Sequence, residues 1–319
     1  MPGSTITAAA IQFRADAGEI DRNLQRMGSL VSQAASQGAN LVLLPELAPG
    51  GYLLTGEIWN TAETMRGRSV SWLKSTASRH GIYLGMSFLE AEGSDFYNSF
   101  VLAAPNGAIA GRVRKNPPAS AEACFFRSGS DAHYIDTDLG RIGVSICYEA
   151  ILYEHLAEHH RNSVDILLIP MSAGTPTPIF PIRKKDCIAY DDMLRGLVVH
   201  HAHSLGVPVI MANKCGPLVT DMPMGMPAQD TSFPGLSTIA DSDGKVIAQL
   251  AGEEDIAIGE VHLESARKNR NAPKSCGRWA LPVPWFSFFF PMAAYFCASA
   301  YAKSKARPQR AIAVCLKDG

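Results

Sequence analysis

Apolar and polar positions along this chain follow two alternating periods. Thr5 to Phe13 (TITAAAIQF) is a nearly continuous apolar run of strand length. From Ile20 to Gln37 the apolar residues Ile20, Leu24, Met27, Leu30, Val31 and Ala34 recur at helical spacing, and Gly38 is placed to end that helix. Asn40 to Leu47 (NLVLLPEL) reads as a strand that fades at Pro45. The rhythm repeats with a helix around Ser69 to Arg79, a strand at Gly81 to Ala91, and a hairpin over Tyr97 to Lys115 turning at Pro105-Asn106-Gly107. Further on come a strand at Arg141 to Cys147, a helix at Ala150 to His160 and a strand at Val164 to Ala173. A helix at Ala189 to Leu205, a strand at Pro208 to Gly216 and a second hairpin turning at Asp243-Gly244 complete the series. Layers of strand and helix in this order predict one α/β domain, two packed sheets with helices outside. The hairpins argue against a purely parallel barrel, whose strands return through helices. Gly216 to Pro227 (GPLVTDMPMGMP) reads as a flexible loop over a cleft.

The last part of the chain breaks the rhythm. From Trp279 to Ala302 no residue is charged, and Lys303, Lys305, Arg307 and Arg310 follow. That length approaches the roughly 20 apolar residues that span a bilayer, but Pro282, Pro284 and Pro291 would interrupt a regular spanning helix. Three readings stay open, in this order: an arm buried against a second subunit, an interfacial membrane segment with a basic flank, and a transmembrane span. The sequence therefore divides into a main domain over residues 1–270 and a C-terminal extension over residues 271–319.

Bulk composition narrows the function classes. With 319 residues, 47% of them hydrophobic, the chain can bury a sizeable core. A net charge of −1 offers no basic field for nucleic acid. The seven cysteines form no CxxC pair, and Met1 to Glu19 has no basic start followed by an apolar core. Reduced thiols and a cytoplasmic location are the expectation, with membrane association left open by the tail. His159-His160 and the histidines of His200 to His203 have no companion CxxC or HExxH. They are read as helix-surface or helix-end residues, and no metal is expected.

Three ionisable residues each terminate an apolar strand-like run: Glu46 after LVLLP, Lys115 after AIAGRVR, and Cys147 after RIGVSI. Delivered to one end of a sheet, they could form a compact site. A thiol attacks well only as thiolate, so it needs a base, and an ammonium nearby would stabilise the anion. Glu46 could take the thiol proton and return it to a leaving amine. Lys115 could stabilise the oxyanion of a tetrahedral intermediate. Taken singly, each residue also has a plainer reading: a solvated glutamate, a surface lysine, a core cysteine.

The motifs around these residues resemble the nitrilase superfamily, the carbon–nitrogen hydrolases, over roughly residues 5 to 262. The family's opening resembles AAIQF (Ala9 to Phe13) with Asn23 beyond it, and its glutamate motif resembles NLVLLPELAPGGY (Asn40 to Tyr52). Its lysine motif resembles GRVRKNPP and its nucleophile motif GRIGVSICYE. LGVPVIMANKCG (Leu205 to Gly216) and FPGLSTIADSDGKVIA (Phe233 to Ala248) match in the same order.

The resemblance implies a four-layer α-β-β-α sandwich of two mixed sheets, with subunits that pair through their outer helices as a homodimer or larger oligomer. It implies a Glu46-Lys115-Cys147 triad, no cofactor, and a small-molecule amide or nitrile substrate. Glu122 fits the family's second glutamate, which orients the lysine or helps place substrate. Tyr52, Tyr148 and the loop that begins Met171, Ser172 and Ala173 are expected to line the pocket, with the Tyr148 N–H as an oxyanion donor. Glu149 either hydrogen-bonds within the site or starts the next helix as an early carboxylate, and the helix role is favoured.

Two positions depart from the family pattern: Ser204 and Leu205 stand where many relatives carry glutamate and asparagine. Tyr148 stands where a true nitrilase often has tryptophan, which favours amide over nitrile chemistry. No arginine is clearly placed to clamp a carbamoyl amino acid, Arg183 and Arg195 being the unranked candidates. The apolar tail keeps open a nitrilase or an N-acyltransferase acting on a lipid-like substrate. A different class, a non-catalytic scaffold that binds a partner or membrane through the tail, would survive Cys147→Ala unchanged.

Overall fold

The computed structural model describes residues 4–318. One six-stranded sheet contains β1 (Ser4–Gln12), β2 (Leu41–Leu43), β3 (Tyr83–Glu92), β4 (Asp95–Ala103) and β5 (Ile109–Arg114), with β14 (Asp255–Leu263) at the β1 edge. The other contains β6 (Tyr134–Thr137), β7 (Gly140–Val144), β8 (Ile166–Pro170), β9 (Val209–Ala212), β12 (Thr238–Ala240) and β13 (Val246–Gln249). A separate two-stranded ribbon pairs β10 (Cys215–Thr220) with β11 (Gln229–Pro234). The helices are α1 (Ile20–Ser36), α2 (Arg68–His80), α3 (Tyr153–Arg161), α4 (Lys184–Leu205), α5 (Phe290–Lys303) and α6 (Ala306–Asp318).

The four-layer arrangement follows from strands that are apolar on both faces. In β1, Ile6, Ala8 and Ala10 pack between the sheets, while Ala9 and Ile11 turn outward beneath α1 and α2. In β8, Ile166 and Leu168 join the inter-sheet core, and Leu167 and Ile169 meet α3 and α4. Side chains alternate at a period of two, so one strand supplies two cores. Sheet-to-sheet approach is tight: a Cβ at Gly111 would lie 2.8 Å from the Ile135 side chain.

Strand direction sets where the chemistry appears. β1, β2 and β3 run parallel, and β5 shares their direction because it is antiparallel to β4, which is antiparallel to β3. β7, β8 and β9 are also parallel. The segments after β2, β5, β7, β8 and β9 carry Glu46, Lys115, Cys147, Met171–Ala173 and Lys214 respectively. Open sheets commonly place ligand sites beyond such carboxyl ends.

Several expectations are corrected. Gly216 to Pro227 is not all loop, because Cys215–Thr220 is a strand whose side chains alternate inward and outward. Gly216 and Pro217 hid that period; Pro217 is accommodated in a ribbon of only two strands. The helix expected at Ala150 begins at Tyr153, preceded by a 3-10 turn over Cys147–Ile151. The helix expected at Ala189 begins at Lys184, where the Asp186 carboxylate accepts the Arg183 N–H at 2.8 Å. His159 and His201 are buried rather than on a helix surface. His159 shares a 2.8 Å hydrogen bond with Ser145 Oγ beneath Gly143, where any Cβ would meet its ring.

The C-terminal segment folds back on its own chain. Cys297, Tyr301 and Ala311 are buried beside Trp59, Phe96, Cys124 and Phe126. Tyr301 Oη accepts the Phe96 N–H at 2.9 Å and donates to Asp95 at 3.2 Å, and Arg307 pairs with the same carboxylate. Among the described residues no helix is long and apolar enough to cross a membrane, which overturns the spanning reading. Proline interruption and the small faces of Ala and Ser let two short helices lie against the body instead. Tyr301→Phe should cost about 1–3 kcal/mol, because the Phe96 N–H would be left without a partner. Urea unfolding measures it, and no change would mean that the tail is not anchored there.

Candidate active site

Glu46 is fully buried where the chain leaves β2. Its Oε1 accepts from Lys115 Nζ at 2.6 Å and from Asn98 Nδ2 at 2.7 Å. Ser87 Oγ donates to Asn98 Oδ1 at 2.7 Å, which fixes the amide so that its N–H2 faces the carboxylate. The other oxygen, Oε2, is buried with no hydrogen-bond partner. A buried acceptor left open is costly, and such an atom is a candidate proton acceptor.

Glu122 differs in this respect. Its Oε2 meets Lys115 Nζ at 2.7 Å and accepts the Ala119 N–H at 2.8 Å, while Oε1 accepts from Tyr52 Oη at 2.8 Å. Both oxygens are therefore occupied. Lys115 lies between two carboxylates. Burial alone would lower its pKa, but Glu122, Glu46 and the neighbouring Cys147 together raise it well above the usual amine range. Burial raises Glu122 above the usual carboxylate range, with Lys115 opposing and Glu46 adding to the rise.

Cys147 keeps partial exposure to a cavity of about 210 Å³. Its φ of +54° lies in the left-handed region, uncommon for a residue with a side chain. The strained turn directly follows the β7 exit. Burial pushes the thiol pKa up, as do Glu46 and Glu122; Lys115 and the Ser172 backbone N–H pull the other way without overcoming them. With its pKa raised, this thiol would need its proton removed in any nucleophilic role.

The same cavity is lined by Tyr52, Tyr148, Met171, Ser172 and Ala173, so the structure brings every expected pocket residue to one place. Arg183 and Arg195, the candidates to clamp a carbamoyl amino acid, are both exposed and outside that lining. α4 turns its Tyr190, Met193 and Leu194 to the cavity instead. Glu149 keeps an early-helix role and adds to it: it is the third residue of the 3-10 turn, its buried carboxylate accepts the Ile146 N–H at 2.6 Å as a cap and the Asn116 N–H at 2.5 Å, and it contacts His133 Nε2 at 2.9 Å. It thus ties the segment after Lys115 to the segment before Cys147. Burial opposes its ionisation, but His133 and His155 hold its pKa below the usual carboxylate value.

Several contributors lay beyond sequence reasoning. Asn98 comes from the middle of β4 and had no motif of its own. Lys214 is buried, with Nζ donating to Leu47 O at 3.1 Å; loss of hydration lowers its pKa to about 7 despite the opposing field of Glu46. Phe286 and Phe290 from the C-terminal segment form one wall, 6.0 Å from Tyr190 and 5.7 Å from Tyr148 between ring centroids. Their apolar character was legible, but not where they would land.

Comparison with known proteins follows the same outline. The family model described as carbon-nitrogen hydrolase matches residues 7–271. A probable nitrilase of Schizosaccharomyces pombe is 28% identical over 269 residues, covering 82% of this chain and 90% of its own. A 2-oxoglutaramate amidase of Bacillus subtilis is 27% identical over 270 residues, covering 83% and 94%. A mutant amidase from Nesterenkonia sp. AN1 superposes with a TM-score of 0.67 at 20% identity, over 82% of this chain and 92% of its own. That structure shows covalent addition of the acetamide moiety of fluoroacetamide at the active-site cysteine.

Proposed function

The chain belongs to the carbon–nitrogen hydrolase family, and we propose that it hydrolyses the C–N bond of a small, uncharged amide through a thioester on Cys147. The observation that carries the reading is the division of labour between two buried glutamates. Glu46 has an open oxygen able to take a proton, whereas Glu122 has both oxygens occupied and holds Lys115 in place.

In the proposed cycle Cys147 Sγ attacks the amide carbon while Glu46 Oε2 accepts the thiol proton. The carbonyl oxygen becomes an oxyanion between Lys115 Nζ and the Tyr148 N–H, at the start of a 3-10 turn where backbone donors lack intrahelical partners. Collapse breaks the C–N bond, and Glu46 passes its proton to the departing nitrogen. Water, deprotonated by Glu46, then attacks the thioester and releases the acid and the thiol. Lys115 stays an ammonium throughout, in keeping with its raised pKa.

The lining supports the substrate class. Glu122 apart, whose two oxygens are both occupied, it is built of uncharged residues, with Ile151, Met193, Leu194, Leu218, Phe286 and Phe290 forming the apolar walls. A carboxylate or ammonium on the substrate would lose its hydration there without a partner. The extension beyond residue 270 thus serves as a wall of the substrate pocket in this reading.

Intact-protein mass spectrometry tests the proposal. Wild-type protein mixed with pooled uncharged amides, quenched in acid within the first turnovers, should gain the mass of one acyl group, and Cys147→Ala should gain none. An adduct only with nitriles would move the assignment to nitrile chemistry. Equal adducts on both proteins, or amide turnover by Cys147→Ala, would refute Cys147 as nucleophile.

A further inference from the structure

Next to Glu149, and outside the lining of the cavity, three side chains converge that the hydrolytic cycle does not use. His133 and His155 are almost fully buried, with rings 4.4 Å apart between centroids, and Glu158 reaches toward them from the next turn of α3. One ligating atom from each of the three lies within 4.8 Å of the others. From this arrangement we propose that His133, His155 and Glu158 bind a divalent transition-metal ion of the zinc type.

The hydrogen bonds select the ligating atoms. His133 Nε2 faces the Glu149 carboxylate at 2.9 Å, and His155 Nε2 faces Asn116 O at 2.6 Å. Each acceptor holds a proton on Nε2 and leaves Nδ1 as the nitrogen with a free lone pair. His155 Nδ1 is buried and has no partner. His133 Nδ1 points to Glu158 Oε2 at 3.9 Å, too far for a hydrogen bond. Glu158 is itself aimed, because its Oε1 accepts the His133 N–H at 3.2 Å. Imidazoles whose second nitrogen donates to a carboxylate or carbonyl are the usual outer shell of a zinc site.

Charge and space agree with this assignment. The adjoining surface depression is lined by Asp131, Glu154 and Glu158 against a single guanidinium, that of Arg161. Two imidazoles and one carboxylate suit zinc and its neighbours, with the open side leaving room for water. Bonds of about 2.0–2.2 Å would draw the three groups together by about an ångström. The bound ion would sit behind Glu149 and Asn116 and brace the two segments that carry Cys147 and Lys115.

Cobalt(II) is the probe, because its visible absorption reports nitrogen and oxygen ligands directly. The full-length protein, first stripped with a chelator, should bind one cobalt ion per chain with a saturable visible band, and zinc should abolish that band by displacement. His155→Asn should weaken binding about a hundredfold and Glu158→Gln about tenfold, in the range that altered ligand shells produce. Glu158 is partly exposed, so its variant keeps the test decisive even if His155→Asn fails to fold. Cys147→Ala should bind cobalt as the wild type does. No saturable band, a band unchanged in Glu158→Gln, or a band lost in Cys147→Ala would overturn the assignment; the last would place the metal on the thiol.

Discussion

Replacing Glu46 by Gln should slow amide hydrolysis about 10²–10⁴-fold, the range contributed by a general base, while making the Cys147 thiol easier to alkylate at neutral pH. The two effects move in opposite directions for separate reasons. The amide of the variant keeps an oxygen for Lys115 and Asn98, so the local hydrogen bonds survive. What disappears is the free Oε2, the only oxygen of the two glutamates without a partner. In the proposed cycle, acylation then has no acceptor for the thiol proton. The negative field of Glu46 is also gone, and that field is among the causes that raise the thiol pKa, while the ammonium of Lys115 remains to lower it. A larger thiolate fraction at pH 7 follows. Steady-state hydrolysis and the rate of iodoacetamide labelling, measured on the same preparation, check both arms. Undiminished hydrolysis would remove Glu46 as the base. A parallel fall in both rates would mean that its role is only to hold the fold.

How much of this could be read from the chain depends on the range of each interaction. The long elements were legible because burial on one or two faces imposes a local period: α1 from Ile20, and β1 with its two-sided apolar run, fall where the pattern put them. Glu46, Lys115 and Cys147 each follow a strand, the first two leaving one sheet and the third the other, and it was the resemblance of their motifs to a family, not strand ends alone, that grouped them. Asn98 could not be found this way. Its amide reaches Glu46 across 52 positions of sequence from inside a strand, and nothing local distinguishes it from a polar residue on a sheet. The β10–β11 ribbon was masked by Gly and Pro, and the metal-type cluster by the separation of His133 from His155 and Glu158. For the C-terminal segment, an apolar stretch states that a surface must be covered but not which one. Phe286 and Phe290 meet the cavity, while Phe288, Phe289, Tyr295 and Phe296 remain exposed.

Lys115→Met carries the second large effect, and its sign with pH separates electrostatics from packing. In the wild type the ammonium sits between Glu46 and Glu122 at 2.6 and 2.7 Å, all three side chains being shielded from water. Methionine fills the same space but leaves two buried carboxylates facing each other. Removing one partner of a buried ion network costs about 3–5 kcal/mol, and in the proposed cycle loss of Lys115 as oxyanion donor should slow hydrolysis about 10²–10³-fold. Burial already holds Glu122 above the ordinary carboxylate range with Lys115 opposing the rise, so without the lysine its pKa climbs further. A carboxyl whose folded-state pKa exceeds its unfolded value of about 4.3 contributes stability that is full below that value and is lost as pH rises through the folded-state pKa. The variant should therefore lose more stability between pH 5 and pH 8 than the wild type does. Lysine titration does not blur the comparison, since a raised Lys115 pKa keeps the wild-type ammonium charged across that interval. Urea unfolding of both proteins at the two pH values measures the difference. An equal destabilisation at pH 5 and pH 8 would mean that packing, not the paired charges, is what Lys115 supplies to the fold.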